Sequence, residues 1–316
     1  MKICLVTPAP AYSRTGNRVA ALRWVRLLRE LDHQVVLVQE YKSQSCDLMI
    51  ALHARRSHTS MARFRERHPS LPLILALVGT DLYGDIHTDS SAQESLELAD
   101  RFVVLQPMGI QELPKRLANK ARVIYQSVEP PPGEFTPKKN VFEVCVIGHL
   151  RPVKDPFRTA MAVRSLPSSS RIGVLHAGAD ISGDMEETAL RESSLNPRYR
   201  WLGNLPHWKS MRLIARSRLL SLTSESEGGA NVVSEAIACL VPIVSSRISG
   251  SIGLLGEDYP GYFTVGDTQE LTVLLQRAET DAAYYNRLRS WCERLKPLFD
   301  PANELRRWDE LLHEFY

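Results

Sequence analysis

Apolar residues come along this chain in short unbroken runs, and between the runs they recur at intervals of three and four. Unbroken runs rich in β-favouring side chains read as strands, and the wider spacing reads as helix. In the first half, 2–7, 34–38, 47–52, 73–77, 101–105 and 122–125 predict strands, with helices over 17–31, 61–67 and 108–117. Strands that are apolar on both faces and alternate with helices imply a parallel sheet covered on both sides. That is a Rossmann-like half.

The pattern stops at 128–140, where four prolines and a glycine can continue neither a helix nor a central strand, so an extended linker is expected. A second alternation follows: strand 142–147, helix 156–166, strand 172–176, helix 186–193, strand 199–202, helix 208–216, strand 219–223 and helix 232–240. The tail reads as helices 271–277, 282–295 and 303–315. The predicted organisation is an α/β domain over 1–127, the linker 128–140, a second α/β domain over 141–299, and a C-terminal helix over 300–316 that returns to the first domain. Ligands of open parallel sheets bind beyond the carboxyl ends of the strands, so the chemistry is sought in the loops that follow them.

Composition adds bounds rather than direction. At 316 residues the chain is about twice a typical domain, consistent with two cores. With 44% hydrophobic and 24% charged residues it is an ordinary globular protein, and a net charge of +3 is too small to argue for nucleic acid. The five cysteines are odd in number and never spaced as C-x-x-C, which favours buried thiols in a reducing compartment over disulfides or a metal site. No signal peptide is visible, and the longest apolar run, 71–78, is interrupted by Pro72 and too short to span a bilayer. The expected location is cytoplasmic.

The most informative stretch is 224–236, which follows the strand 219–223 and opens the helix 232–240. Gly228 and Gly229 let the backbone approach a ligand closely, and the first N–H groups of the helix, from Ala230 and Asn231 on, make a cradle for phosphate. Glu227 lies in the loop and Glu235 eight positions later, a little over two turns along, so the two carboxylates can hold two parts of one ligand. A carboxylate accepts two hydroxyls at once, which suits a sugar or ribose diol. A capped helix with solvated acids is the plainer alternative; glycines, spacing and preceding strand together weigh against it.

Glu-Gly-Gly-Ala-Asn-Val-Val-Ser-Glu-Ala at 227–236 resembles the paired-glutamate signature of family 4 glycosyltransferases, two-domain enzymes of the GT-B fold that use nucleotide sugars. The resemblance implies two Rossmann-like domains facing each other across a cleft, the first for the acceptor and the second for the donor. It also implies that Glu227 binds a sugar hydroxyl and Glu235 the ribose. Gly148-His149-Leu150-Arg151-Pro152-Val153-Lys154 is similar to the family's Gly-Arg-Leu-x-x-x-Lys segment, whose Arg and Lys hold the donor diphosphate. Gly148 and Lys154 match, but His149 replaces the Arg; Arg151, two positions on, is placed to supply the second charge, which a neutral imidazole cannot. With Lys154, Arg151 and the helix start to bear the leaving group's charge, and no Asp-x-Asp motif, no metal and no cofactor are expected.

On the N-terminal side three loops follow strands. The first carries Arg14, Gly16, Asn17 and Arg18, the second His53, Arg55 and Arg56, and the third Thr80 and Asp81. Gly16 offers another close approach to the donor and the others are acceptor-site candidates, although His53 also reads as a satisfied core histidine. The arginines of helix 17–31 read first as a solvated face on a packed helix, and secondarily as a membrane-surface face.

Gly-Asn-Arg-Val-Ala-Ala-Leu-Arg-Trp at 16–24, Ala-Leu-His-Ala-Arg-Arg-Ser at 51–57 and Gly-Thr-Asp-Leu-Tyr at 79–83 are similar, within this superfamily, to the SenB family of selenosugar synthases of selenoneine biosynthesis. That implies a donor of UDP-N-acetylglucosamine or UDP-glucose, selenophosphate as acceptor, a carbon–selenium product, and functional coupling to a selenophosphate-producing enzyme. Selenophosphate is anionic and already nucleophilic, so its site needs positive charge; an alcohol acceptor needs a positioned base, for which Asp81 is the candidate. A conventional glycosyltransferase and a nucleotide-sugar binding module without turnover therefore both stand beside this reading. A nicotinamide dehydrogenase is disfavoured, since no G-x-G-x-x-G follows a strand.

Overall fold

A computed structural model describes residues 1–13, 16–79, 81–181 and 183–315. The chain divides into two compact units, one made of Met1–Gln126 with Pro301–Tyr316, the other of Ser127–Asp300. The first unit runs β1 (Lys2–Val6), α1 (Gly16–Glu30), β2 (Gln34–Val38), β3 (Leu48–Leu52), α2 (His58–Arg67), β4 (Leu73–Leu77), a π-helical turn (Asp81–Asp85), α3 (Ile86–Thr88), α4 (Ser90–Leu98), β5 (Arg101–Val104) and β6 (Ala121–Val123). Its six strands are all parallel, in the order β2-β1-β3-β4-β5-β6.

The reason for the unbroken apolar runs is visible in the core. Cys4, Val6, Met49, Ala51, Leu73, Leu75, Phe102 and Val104 bury one face of the sheet with Met61 and Phe64 of α2 and Leu96 of α4. The alternate residues Ile3, Leu5, Leu48, Ile50, Ile74, Ala76 and Val103 bury the other face with Ala21, Trp24 and Leu28 of α1. Side chains alternate across a strand, so a sheet covered on both sides needs apolar residues at every position. Ala20, Ala21, Trp24, Val25, Leu27 and Leu28 of α1 are thereby taken up by the core, while Val19 and Leu22 stay exposed.

The second unit runs β7 (Phe142–Ile147), α5 (Arg158–Arg164), β8 (Ile172–Ala177), α6 (Glu186–Leu195), β9 (Tyr199–Trp201), α7 (His207–Arg216), β10 (Leu219–Leu222), α8 (Asn231–Ala238), β11 (Ile243–Ser246), α9 (Ser249–Leu255), β12 (Tyr262–Phe263), α10 (Thr268–Thr280) and α11 (Ala282–Leu295). Its parallel sheet has the order β12-β11-β10-β7-β8-β9, which reverses direction between β7 and β10. The last helix, α12 (Pro301–Leu312), belongs to the first unit, where Trp308 meets Trp24 edge to face at 4.9 Å. The stretch 128–140 has neither helix nor strand. It is tied to the second unit by Val128 N–H donating to Phe299 O at 3.0 Å and by Lys138 Nζ at 3.3 Å from Glu143.

One predicted helix is corrected. Over 108–117 the chain forms only a 3₁₀ turn, Pro107–Ile110, followed by further turns. Pro114 lacks the N–H that a continuing helix would need, and Gln106 Oε1 caps the short turn by accepting from Gly109 N–H at 3.2 Å. Helix α4, which the apolar spacing does not announce, starts where Asp89 accepts from Ala92 N–H at 2.9 Å.

Candidate functional site

In a doubly wound sheet the site lies where the strand order reverses. In the second unit that point falls between β7 and β10, and the two loops leaving these strands are stitched together. Glu225 N–H donates to Val153 O at 2.9 Å, and Thr223 Oγ1 donates to Lys154 O at 3.0 Å and Asp155 O at 2.9 Å. Between them Lys154 Nζ donates to Glu227 Oε1, which also accepts from Ser224 Oγ at 2.7 Å. Gly228 and Gly229 then lead to Ala230, the N-cap of α8, whose own side chain makes no capping hydrogen bond. Lys154, Glu227 and the helix start, 77 positions apart at most in sequence, are thus neighbours of one loop pair.

Glu235 sits in the second turn of α8, its side chain 11% exposed, and Oε1 accepts from His207 Nε2 at 2.9 Å. Arg151 precedes the 3₁₀ turn Pro152–Lys154 and is exposed. His149 Nδ1 accepts from Ala179 N–H at 3.0 Å, and burial first, then the charges of Lys154 and Arg151, hold its imidazole below the ordinary pKa. It is a neutral residue at the place where the resembling family carries an arginine. Gly148 is pinned from below: His176 Nε2–H donates to its carbonyl at 3.0 Å, while Tyr199 OH donates to His176 Nδ1 at 2.8 Å. Burial lowers the His176 pKa to about 4, so this buried relay stays neutral.

The neighbouring glycines explain how the loops come so close. A side chain at Gly178 would collide with the Gly148 carbonyl, and one at Gly250, in the first turn of α9, with the Glu227 carbonyl. His176, Tyr199, His207, Gly178 and Gly250 do not stand out in the sequence. Only the glycines at a strand end and a helix start carry a signal there.

In the first unit the order reverses between β1 and β3, and the loops after β1, β3 and β4 converge. A methyl group on Gly79 would lie 3.3 Å from Asp81 Oδ1 and 3.7 Å from Asn17 Oδ1. Asp81 is fully buried, its Oδ2 accepting from Ala54 N–H at 2.9 Å and its Oδ1 from Gly79 N–H at 3.1 Å. His53 lies beside it with Nδ1 3.9 Å from Asp81 and Nε2 3.8 Å from Asp85, on a left-handed backbone at φ 75°. Burial pushes the Asp81 carboxyl up and the His53 imidazole down. Arg55 donates to Asp85 Oδ2 at 3.0 Å, Arg56 is exposed, and Gly16 is exposed at the start of α1. Arg18 Nε is buried with no hydrogen-bond partner among the described residues. Arg14 and Thr80 lie outside the described residues.

All five cysteines are free, and burial pushes Cys145, Cys239 and Cys292 up to about 12, which leaves them unreactive thiols. Among the described residues no three His, Cys, Asp or Glu side chains gather as a metal ion requires. No helix among them is long and apolar enough to cross a membrane.

Two parallel α/β units, each with its loops gathered at a reversal of strand order, define the GT-B class of fold. Residues 132–291, just over half of the chain, match the family Glycosyl transferases group 1, and the chain belongs to that family. Solved structures agree on the fold. Anabaena HepE in complex with UDP superposes with a TM-score of 0.78 at 15% identity, covering 99% of this chain and 100% of that one. The same protein with UDP-glucose gives 0.77 at 16% identity and the same coverage. Sucrose-phosphate synthase from Thermosynechococcus elongatus gives 0.77 at 14% identity, covering 99% and 98%. No curated protein matches the chain in sequence.

Proposed function

We propose that this glycosyltransferase moves a sugar from UDP-N-acetylglucosamine or UDP-glucose to the selenium of selenophosphate. The selenium forms a bond to the anomeric carbon as the bond from that carbon to the UDP oxygen breaks; water at the selenium–phosphorus bond then accounts for the phosphate released. The UDP-sugar part is supported by the pairing of Lys154 with Glu227 beside the start of α8, together with the UDP and UDP-glucose bound to HepE.

Lys154, Arg151 and the α8 N-terminus are assigned to the diphosphate, where negative charge grows as UDP leaves. They carry that load without a metal. Gly148, Gly228, Gly229, Ala230 and Asn231 are assigned the close backbone approach, Glu227 a sugar hydroxyl and Glu235 the ribose. Donor binding replaces the contact between Lys154 and Glu227 with contacts to the ligand.

The observation that carries the acceptor is Asp81. It is the one carboxylate among the proposed acceptor-site residues, and both its oxygens are taken by backbone N–H groups at 0% exposure. A buried loop tie of that kind does not serve an alcohol as general base, whereas selenophosphate needs none. It needs cations, and Arg18 contributes a guanidinium nitrogen that is buried without a partner among the described residues. The similarity of 16–24, 51–57 and 79–83 to selenosugar synthases points the same way.

The test is anaerobic: purified protein with either UDP-sugar, with and without selenophosphate, read as UDP release and by mass spectrometry for the selenium isotope pattern. UDP and a selenosugar appearing only with selenophosphate, at a rate EDTA does not change, is the expected result. UDP release with an alcohol acceptor and none with selenophosphate would overturn it.

A further inference from the structure

We infer that His207 makes the second unit selective for ribonucleotides over deoxyribonucleotides by fixing the carboxylate of Glu235; this rests on the ribose assignment of Glu235 above. His207 is a positioning residue here, acting through its neighbour.

A glutamate has three side-chain torsions, and a carboxylate that reads a diol must present its oxygens in one orientation. The neighbours of Glu235 on its own helix, Val232, Val233, Ser234, Ala236 and Ile237, are buried, and among the described residues none of them donates a side-chain hydrogen bond to it, so its orientation is left to a group from elsewhere. His207 does so from another element. Pro206, at φ −59° and ψ 146°, turns the chain into α7, and Ser210, Met211, Leu213 and Ile214 anchor that helix in the core. The imidazole of its first residue is thereby brought to 2.9 Å from Glu235 Oε1. A carboxylate oxygen only accepts, so the proton is on Nε2 and the histidine donates. Among the described residues Oε2 takes no hydrogen bond from the protein. With Oε1 pinned, Oε2 and the remaining lone pair of Oε1 are offered together, which is what two vicinal hydroxyls require.

The imidazole is 73% exposed, so removing it leaves the core intact while taking away the hydrogen bond to the carboxylate. Titration calorimetry of the full chain with UDP and with 2′-deoxy-UDP reads the effect as a ratio of dissociation constants. The wild type is expected to prefer UDP by roughly tenfold, the weight of one charge-assisted hydrogen bond. Glu235→Ala brings the ratio to about one. His207→Ala moves it most of the way there, and His207→Gln, whose amide N–H reaches a similar point, restores it.

Loss of discrimination in His207→Ala with rescue in His207→Gln supports the assignment. An unchanged ratio in His207→Ala beside a lost ratio in Glu235→Ala overturns it while sparing the ribose reading. Both nucleotides weakening equally in His207→Ala, with a lowered unfolding midpoint, overturns it in favour of a structural role. An unchanged ratio in Glu235→Ala overturns the ribose reading itself, and this inference with it.

Discussion

At the residue scale, the loop after β7 rests on a buried histidine held neutral down to about pH 4. His176 is 0% exposed, bonded on one side to Gly148 O and on the other to Tyr199 OH. Its pKa is lowered to about 4 because burial penalises the charged ring. A histidine lowered in the folded state adds stability that is complete above its unfolded pKa near 6.5, and that is lost as pH falls from there towards 4, where only the unfolded chain takes up the proton. Between pH 7 and pH 5 the loss amounts to about 2 kcal/mol. Urea unfolding of wild type and His176→Gln across that window checks the sign: the wild type should lose about 2 kcal/mol more than the variant. Equal losses would mean that His176 is not the group responsible.

At the element scale, α9 and the loop before α8 meet with no room between them. Gly250 stands in the first turn of α9 against the backbone of Glu227, and the collision of a methyl group there is with a carbonyl rather than with a mobile side-chain tip. Gly250→Ala must therefore push the α8 loop or α9 aside, at about 1–3 kcal/mol of stability. Because Glu227 moves with its carbonyl, turnover should fall by at least tenfold even at temperatures where the variant is folded. Thermal unfolding and steady-state rates on one preparation separate the two effects; wild-type turnover from the folded variant would show that the loop is not held by this contact.

The same contact marks the limit of what the chain reveals before it folds. The strand runs 34–38 and 73–77, the glycine pair 228–229 and the helix 282–295 are legible because each is a local pattern. Gly250 lies 23 positions from Glu227, and His207 28 from Glu235, so their contacts exist only once β7, β10 and β11 take their places in one sheet. Pro114 is legible too, but the apolar periodicity around it points to a helix that the missing N–H forbids.

At the scale of the whole molecule, the chain passes through the first unit twice and the second once. The second unit is continuous from Ser127 to Asp300, but the first closes only when Pro301–Tyr316 returns. Trp308, Leu311 and Leu312 of α12 join Trp24, Val25 and Leu28 of α1 in one buried cluster. Trp24 Nε1 donates to the buried Glu304 Oε1 at 2.9 Å. Deleting 301–316 removes Trp308, uncovers Trp24 and orphans that donor. Emptying the site of one buried tryptophan costs about 3–5 kcal/mol, against about 5–15 kcal/mol for the stability of a whole domain. Residues 1–126 alone should therefore fail to unfold cooperatively, while 127–300 alone should fold and keep its affinity for UDP within about tenfold. Restoring the tail to 1–126 through a flexible linker should recover a cooperative transition, because it returns the same core at the cost of closing one loop. Thermal unfolding of the three fragments by circular dichroism makes the comparison. A cooperative transition in 1–126 at the temperature of the linked form would show that α12 merely covers a core complete without it.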